Sequence, residues 1–276
     1  MTIGMREREV AIEAARRGAE AILAVRTAGF AVEFKGHDDP VTAADRAANK
    51  LIVDILRREF PGDTIIAEED PVPAHRGRRC WFVDPLDGTK EFVANIPEYC
   101  VMIGLAIDGR ATVGAMVIPT TGMVLSGSLD EGAFIDDRRV LLSPTTLAAG
   151  ISPRSPLRLV TSRSRRHPRI DPIFEALGTP EELRCGSVGV KIAKILLGEA
   201  DAYIHCDGGP SLWDLCAPEA IVRAAGGVFT DEHGREIDYA NAAIAHPDGM
   251  VVSGREIHTR LLSAVERSGL PLNKGV

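Results

Sequence analysis

The sequence predicts a mixed α/β (α+β) chain, and three observations carry that prediction. The first sixty residues hold two long amphipathic helical patterns. Residues 101–135 break into short β-type runs separated by turn signals, and from residue 157 onward apolar strands alternate with helices. A length of 276 residues fits one large domain or two modest ones.

Taken in order, Glu7 to Val25 is Ala- and Arg-rich with apolar residues at Val10, Ala14, Ile22 and Val25, a helix ending near Gly29. Asp38-Asp39-Pro40 breaks the chain. A second helix is expected from about Thr42 to Phe60, with Leu51, Ile52, Ile55 and Leu56 on one face and Pro61-Gly62 as its stop. Thr64–Ala67 and Trp81–Val83 are short apolar runs that end in acids and suit buried strands. Val101–Ile107, Thr112–Ile118 and Met123–Ser126, punctuated by Asp108-Gly109, Pro119 and Gly122, read as an antiparallel meander. Leu142 to Pro156 is rich in Pro, Ser, Thr and Gly and marks a boundary between domains at 1–142 and 143–276. Beyond it, strands at Leu157–Thr161, Ala202–His205, Val228–Thr230 and Met250–Ser253 alternate with helices at Ile170–Leu177, Val188–Leu197, Leu215–Ala225 and Ile257–Arg267.

Composition narrows the function classes. With 45% apolar and 26% charged residues the chain is neither disordered nor fibrous, and a net charge of −7 argues against a nucleic-acid polymer as partner. No apolar run approaches a membrane span, and the charged first ten residues do not resemble a secretion signal. Five cysteines without a Cys-x-x-Cys pair suit free thiols in a reducing cytoplasm. Seven scattered histidines without His-x-x-x-His spacing exclude a zinc-hydrolase motif.

The placement of the acids is the informative feature. Glu68-Glu69-Asp70 ends one apolar run and Asp84-Pro85-Leu86-Asp87-Gly88-Thr89 ends another. Asp214 follows Trp213 at a helix start, after Gly208-Gly209-Pro210. Strand ends and helix starts are where α/β proteins gather functional groups. Two like charges about 4 Å apart repel by roughly 4 kcal/mol at an effective dielectric of 20, so converging carboxylates need protons or cations. Oxygen ligands without His or Cys select Mg²⁺, Mn²⁺ or Ca²⁺. Gly88 admits close backbone approach, and a helix opening at Thr89 to Phe92 would turn amides toward an anion. Cations beside a phosphate cradle, without a Gly-x-x-x-x-Gly-Lys-Ser/Thr loop, point to phosphate-ester hydrolysis.

In this order and spacing, Asp45, Glu68-Glu69, Asp84-Pro85-Leu86-Asp87-Gly88-Thr89 and Trp213-Asp214 resemble the inositol monophosphatase superfamily of lithium-sensitive, Mg²⁺-dependent phosphatases. The match spans nearly the whole chain. Lys90-Glu91-Phe92, Trp213-Asp214-Leu215-Cys216-Ala217-Pro218-Glu219, Ser162-Arg163-Ser164-Arg165 and Gly186-Ser187-Val188-Gly189-Val190-Lys191 are similar to the 3′(2′),5′-bisphosphate nucleotidase branch. Arg165 departs from that branch's usual His, and the short link from Glu69 to Cys80 leaves that side of the site more open.

The resemblance implies a layered α-β-α-β-α sandwich and two to three Mg²⁺ ions, with Mn²⁺ as a substitute and Li⁺ and Ca²⁺ as inhibitors. It implies that Glu68, Asp84 and the Leu86 carbonyl hold one ion, that Asp84, Asp87 and Asp214 hold a second, and that a third, weaker ion leans on Glu68. Asp45 and the Thr89 hydroxyl would activate water, with Glu69 at the rim. Gly88, Thr89, Ser162, Arg165, Ser187 and Lys191 would meet the substrate. Arg163, Arg165 and Arg166 beside His167 form the densest basic cluster, which suits a doubly phosphorylated ester. Trp213 is expected in the core, and Lys90 is divided evenly between a solvent-facing and a functional position.

The expectation is a cytoplasmic enzyme, monomer or homodimer, that removes the 3′-phosphate of adenosine 3′,5′-bisphosphate and of its sulfated precursor. The rivals are an inositol monophosphatase or other sugar or alcohol phosphatase of the same fold, and a metal-dependent binding protein without turnover. The intact Asp45, Thr89 and Asp214 argue against the last.

Overall fold

The computed structural model describes residues 4–36, 39–142, 156–164, 166–206, 208–240 and 243–268. Most of the boundary segment, residues 143–155, lies outside them, as does Arg165. Five layers stack in the order helices, sheet, helices, sheet, helices. The outer layer is α1 (Met5–Ala28) and α2 (Ala43–Glu59), joined by a small hairpin of β1 (Val32–Gly36) and β2 (Asp39–Thr42). The first sheet runs β3 (Thr64–Ala67), β4 (Arg79–Asp87), β5 (Cys100–Ile107), β6 (Arg110–Ile118), β7 (Met123–Ser128), β8 (Gly132–Ile135), β9 (Arg138–Val140). Its β3–β4 pair is parallel and every other pair antiparallel. A short helix, α3 (Thr89–Val93), follows β4.

The second half contributes β10 (Arg158–Ser162), α4 (Ile170–Leu177), β11 (Glu181–Cys185), α5 (Val188–Leu196), β12 (Ala202–His205), α6 (Leu212–Ala224), β13 (Val228–Asp231), β14 (Met250–Ser253) and α7 (Arg255–Arg267). Its sheet has the order β11-β10-β12-β14-β13, parallel among the first three strands and antiparallel beyond. Helices α5 and α6 fill the space between the sheets, while α4 and α7 cover the far side. Among the described residues no helix is long and apolar enough to cross a membrane.

A strand shows alternate residues to opposite faces, and both faces of the first sheet are buried, so β5 is apolar throughout. Val101, Ile103 and Leu105 pack toward α1 and α2, whereas Cys100, Met102 and Ala106 join the core around α6. Glycine takes that second alternation at residue 104. Gly104 pairs with Gly114 on β6, which pairs with Gly127 on β7, and the three form a trough across the sheet. Helix α6 lies in it. A Cβ on Gly104 would fall 2.5 Å from the Ala217 amide nitrogen, and one on Gly114 would fall 2.4 Å from the Ala217 carbonyl oxygen. The trough thereby sets how deeply α6 sits, and α6 carries Asp214 in its first turn.

Several sequence expectations change. Strand β4 runs through Asp84 to Asp87 instead of stopping at Val83, with the register shifting between those two residues. Pro85 has no N–H to donate, so the ladder skips it. The β1–β2 hairpin, β9 and β11 add strands that the sequence pattern does not mark, because they are short, glycine-containing or polar, and β8 extends the meander to Ile135. Leu51 is 43% exposed, whereas Ala48, Ile52 and Leu56, four apart, form the buried stripe of α2. Leu51 lies about 100° around the helix from Ile52 and cannot share that face. Helix α6 begins at Leu212, earlier than expected, because Ser211 caps it.

Gly114→Ala should therefore destabilise the fold by about 2 kcal/mol, lowering the unfolding midpoint by roughly 4–8 °C in a thermal scan. Gly62→Ala, which meets nothing within 4 Å, should change stability by less than about 0.5 kcal/mol.

Candidate active site

The irregular end of β4 is the centre of the site. Because the ladder skips Pro85, the residues Asp84, Leu86 and Asp87 all line one cleft of about 530 Å³. Glu68 enters it from the end of β3, where its amide donates to the Val83 carbonyl at 3.1 Å. Asp214 enters from the first turn of α6, and Gly88 and Thr89 close the floor. Gly88 has φ 94°, and a Cβ there would meet the Glu98 carbonyl oxygen at 2.7 Å, so only glycine suits this turn.

The three aspartates are each held through one oxygen. Asp84 Oδ1 accepts the Leu86 amide at 2.9 Å, and Asp214 Oδ2 accepts the Ser211 amide at 2.7 Å. Asp87 Oδ2 accepts the Gly189 amide at 2.8 Å and the Ser187 hydroxyl. Asp84 and Asp214 also share a side-chain hydrogen bond, and all three aspartates line the cleft. Burial, then Glu68, Asp87 and Asp214, hold the Asp84 carboxyl well above the usual carboxylate range. Burial, then Asp87 and Glu68, push Asp214 up to about 8. The acids cannot all ionise side by side in protein surroundings; a divalent cation among them would remove that conflict. A rigid, oxygen-only donor set of this kind fits a hard cation.

Asp45 stands behind this floor and reaches the cleft through Thr89. It is the third residue of α2, and its Oδ2 accepts both the amide and the hydroxyl of Thr42 at 2.7 Å, a reciprocal cap. Its Oδ1 lies 3.1 Å from the Thr89 hydroxyl, which is also 3.0 Å from the Leu86 carbonyl oxygen. Asp45 is 1% exposed, and burial raises its pKa against the opposing hydrogen bonds from Thr42 and Thr89.

The residues expected at the substrate divide. Gly88 and Thr89 line the cleft, and Ser187 is buried against Asp87. Lys191 does not line it: only 2% exposed, its ammonium donates to the Gly186 carbonyl inside the protein. Ser162 ends β10 beside Cys185, and Ser164, two residues on, reaches the cleft in its place. The basic cluster is largely engaged elsewhere. Arg163 binds Glu98 at 2.7 Å, and Arg166 binds Asp171 at 2.7 Å and Glu182 at 3.1 Å. Glu69 lines a neighbouring cavity with Arg46, Asn49 and Asp70.

Further residues line the cleft beyond the expected ligands and substrate contacts. Lys90 and Glu91 line the cleft, and their signal was the Lys-Glu pair after Gly88-Thr89. Trp213, expected in the core, is half-buried: it packs against the core around α6 and also lines the cleft wall. Gly209 and Ser211 belong to the turn that precedes α6.

A second cluster joins Glu232, His233 and Asp248 near the turn after β13, outside the cleft. His233 Nε2 lies 3.5 Å from Asp248 Oδ1 and 4.0 Å from Glu232 Oε1. Here arginines already serve the acids, Arg169 on Glu232 at 2.6 Å and Arg235 on Asp248. The charged neighbours of Asp84 and Asp214, by contrast, are acids.

Comparison with known proteins agrees with this geometry. The model of the inositol monophosphatase family matches residues 6–270. The 3′(2′),5′-bisphosphate nucleotidase CysQ of Salmonella typhimurium is 34% identical over 238 residues, covering 84% of this chain and 93% of its own. Inositol monophosphatase 3 of Solanum lycopersicum is 31% identical over 249 residues, covering 86% and 90%. The solved structure of an inositol monophosphatase from Anabaena (Nostoc) sp. PCC 7120 superposes with a TM-score of 0.76 at 26% identity, covering 97% of each chain. The chain belongs to the inositol monophosphatase family of metal-dependent phosphatases.

Proposed function

We propose that the chain is a Mg²⁺-dependent phosphomonoesterase that converts adenosine 3′,5′-bisphosphate to AMP and phosphate, and acts in the same way on its sulfated precursor. The observation that carries the chemistry is the set of three aspartates, each tethered through one oxygen, beside a hydroxyl already paired with a buried carboxylate. The nucleotide reading draws support from Lys90 and Glu91 in the cleft wall and from the likeness to a bisphosphate nucleotidase.

Glu68, Asp84, the Leu86 carbonyl, Asp87 and Asp214 would hold the cations. Bound there, Mg²⁺ supplies the Lewis acidity that lowers the pKa of water and offsets the charge of the leaving alkoxide. The chain supplies the rest. When Thr89 donates to Asp45, its oxygen can accept a proton from the attacking water as Asp45 takes the threonine proton. Burial raises the basicity of Asp45, which suits that task. Gly88 and Thr89 line the cleft at the open end of α3, where their amides would meet the ester phosphate. Trp213 forms part of the cleft wall.

An inositol-phosphate reading is the specific alternative, because the tomato inositol monophosphatase is similar at nearly the same identity. Phosphate release from adenosine 3′,5′-bisphosphate, inositol 1-phosphate and fructose 1,6-bisphosphate, measured in parallel, decides between them. The proposal expects kcat/KM at least about a hundredfold higher for the nucleotide, which is about 2.7 kcal/mol of transition-state discrimination. A flat profile, or a preference for inositol 1-phosphate, would overturn the nucleotide assignment and leave the hydrolytic one.

The proton relay has its own test. Thr89→Val should lower kcat by roughly 10²–10⁴-fold with little change in unfolding midpoint, whereas Thr89→Ser should retain most activity. Equal losses in both variants would remove the hydroxyl from the mechanism.

A further inference from the structure

Lys191 calls for a physical explanation. It lies on α5, behind the cleft wall, with 2% of its surface exposed. Burial disfavours its charge, while Asp87, Glu91 and Glu98 favour it. Its ammonium donates to the Gly186 carbonyl and lies 5.1 Å from the centre of the Tyr203 ring.

Gly186 opens the corner that joins β11 to α5, and that corner is packed without slack. The Gly186 amide donates to Glu98 Oε2 at 2.8 Å, and a Cβ on Gly186 would meet the Glu91 carboxyl carbon at 2.2 Å. A Cβ on Gly189 would stand 2.7 Å from Cys100 Sγ, beside the strand residue that pairs with Asp87. Two donors on this corner, the Ser187 hydroxyl and the Gly189 amide, converge on Asp87 Oδ2. The Ser187 oxygen also accepts the Val190 amide at 3.1 Å, which fixes its orientation.

We propose that Lys191 is a positioning residue: its ammonium clamps the Gly186 carbonyl, and the clamped corner holds one oxygen of Asp87 so that the other faces the cleft. The lysine is buried behind the cleft and is not among the residues that line it. It ties the second half of the chain to a carboxylate carried by the first sheet. This inference rests on the reading of Asp87 as a cation ligand.

Mn²⁺ binding to the metal-free full chain, followed by the electron paramagnetic resonance of free Mn²⁺, tests it. Lys191→Met and Ser187→Ala should each weaken Mn²⁺ binding about tenfold. Their double variant should lose less than the product of the two, because both act on one carboxylate. The Mg²⁺ concentration for half-maximal activity should rise by the same factor, with KM for the ester at saturating Mg²⁺ unchanged within about twofold. Unchanged Mn²⁺ affinity in Lys191→Met, with or without a raised KM, overturns the proposal. Should Lys191→Met fail to fold, unchanged affinity in Ser187→Ala does so instead. Asp87→Asn, run in parallel, separates the two layers. If it too binds Mn²⁺ like the parent chain, the reading of Asp87 as a ligand fails; if it alone weakens binding, only the positioning role fails.

Discussion

Mutual repulsion among the carboxylates of Glu68, Asp84, Asp87 and Asp214 is the constraint on which the rest of this structure depends. Four acids crowded into one cleft will swing apart unless each is restrained, and the fold supplies restraints from elements distant in sequence. An amide two residues on holds Asp84, the N-terminal cap of α6 holds Asp214, and the β11–α5 corner holds Asp87. Each of these restraints uses one carboxylate oxygen. The glycine trough across β5, β6 and β7 belongs to the same solution, because it lets α6 descend until Asp214 shares the cleft.

Such an arrangement trades stability for chemistry. Without a cation the folded chain must protonate part of the cluster or bear its repulsion: burial first, and the neighbouring acids next, hold Asp84 and Asp214 above ordinary carboxylates. Asp45 is raised by burial as well, and the Thr42 cap and the Thr89 hydroxyl offset this in part. One residue type thus provides two environments side by side: crowded acids that suit a cation, and one isolated acid that suits a proton.

Much of this was legible in the sequence, for identifiable reasons. Asp-Pro-Leu-Asp-Gly-Thr after an apolar run announces its chemistry because a proline and a glycine must break the ladder where the acids emerge. The helices followed from periodicity and the meander from its turns. What could not be read depends on tertiary partners. Lys191 looks like a surface or substrate lysine until the fold buries its ammonium against Gly186 and Tyr203. Arg163 and Arg166 look like an anion site until Glu98, Asp171 and Glu182, remote in sequence, engage them. Leu51 misled for a simpler reason, since adjacent apolar residues on a helix point in different directions. The polar strand β11 carries no apolar alternation, and pairing with β10 alone defines it.

The central claim is that the cleft acids are held together at the expense of the metal-free fold. The most direct test is the unfolding midpoint of the metal-free chain between about pH 4 and 8, with and without ~10 mM Mg²⁺. Asp214, raised from 3.8 to about 8, binds more proton folded than unfolded over that window, so metal-free stability falls as pH rises. Glu219, pushed up to about 7 by burial and bonded to Tyr239, adds a slope of the same sign, but it does not line the cleft and is common to both curves. The account predicts curves that diverge with rising pH, the Mg²⁺-loaded chain becoming progressively more stable than the metal-free one. Parallel curves, or no stabilisation by Mg²⁺ at the upper end, would contradict it.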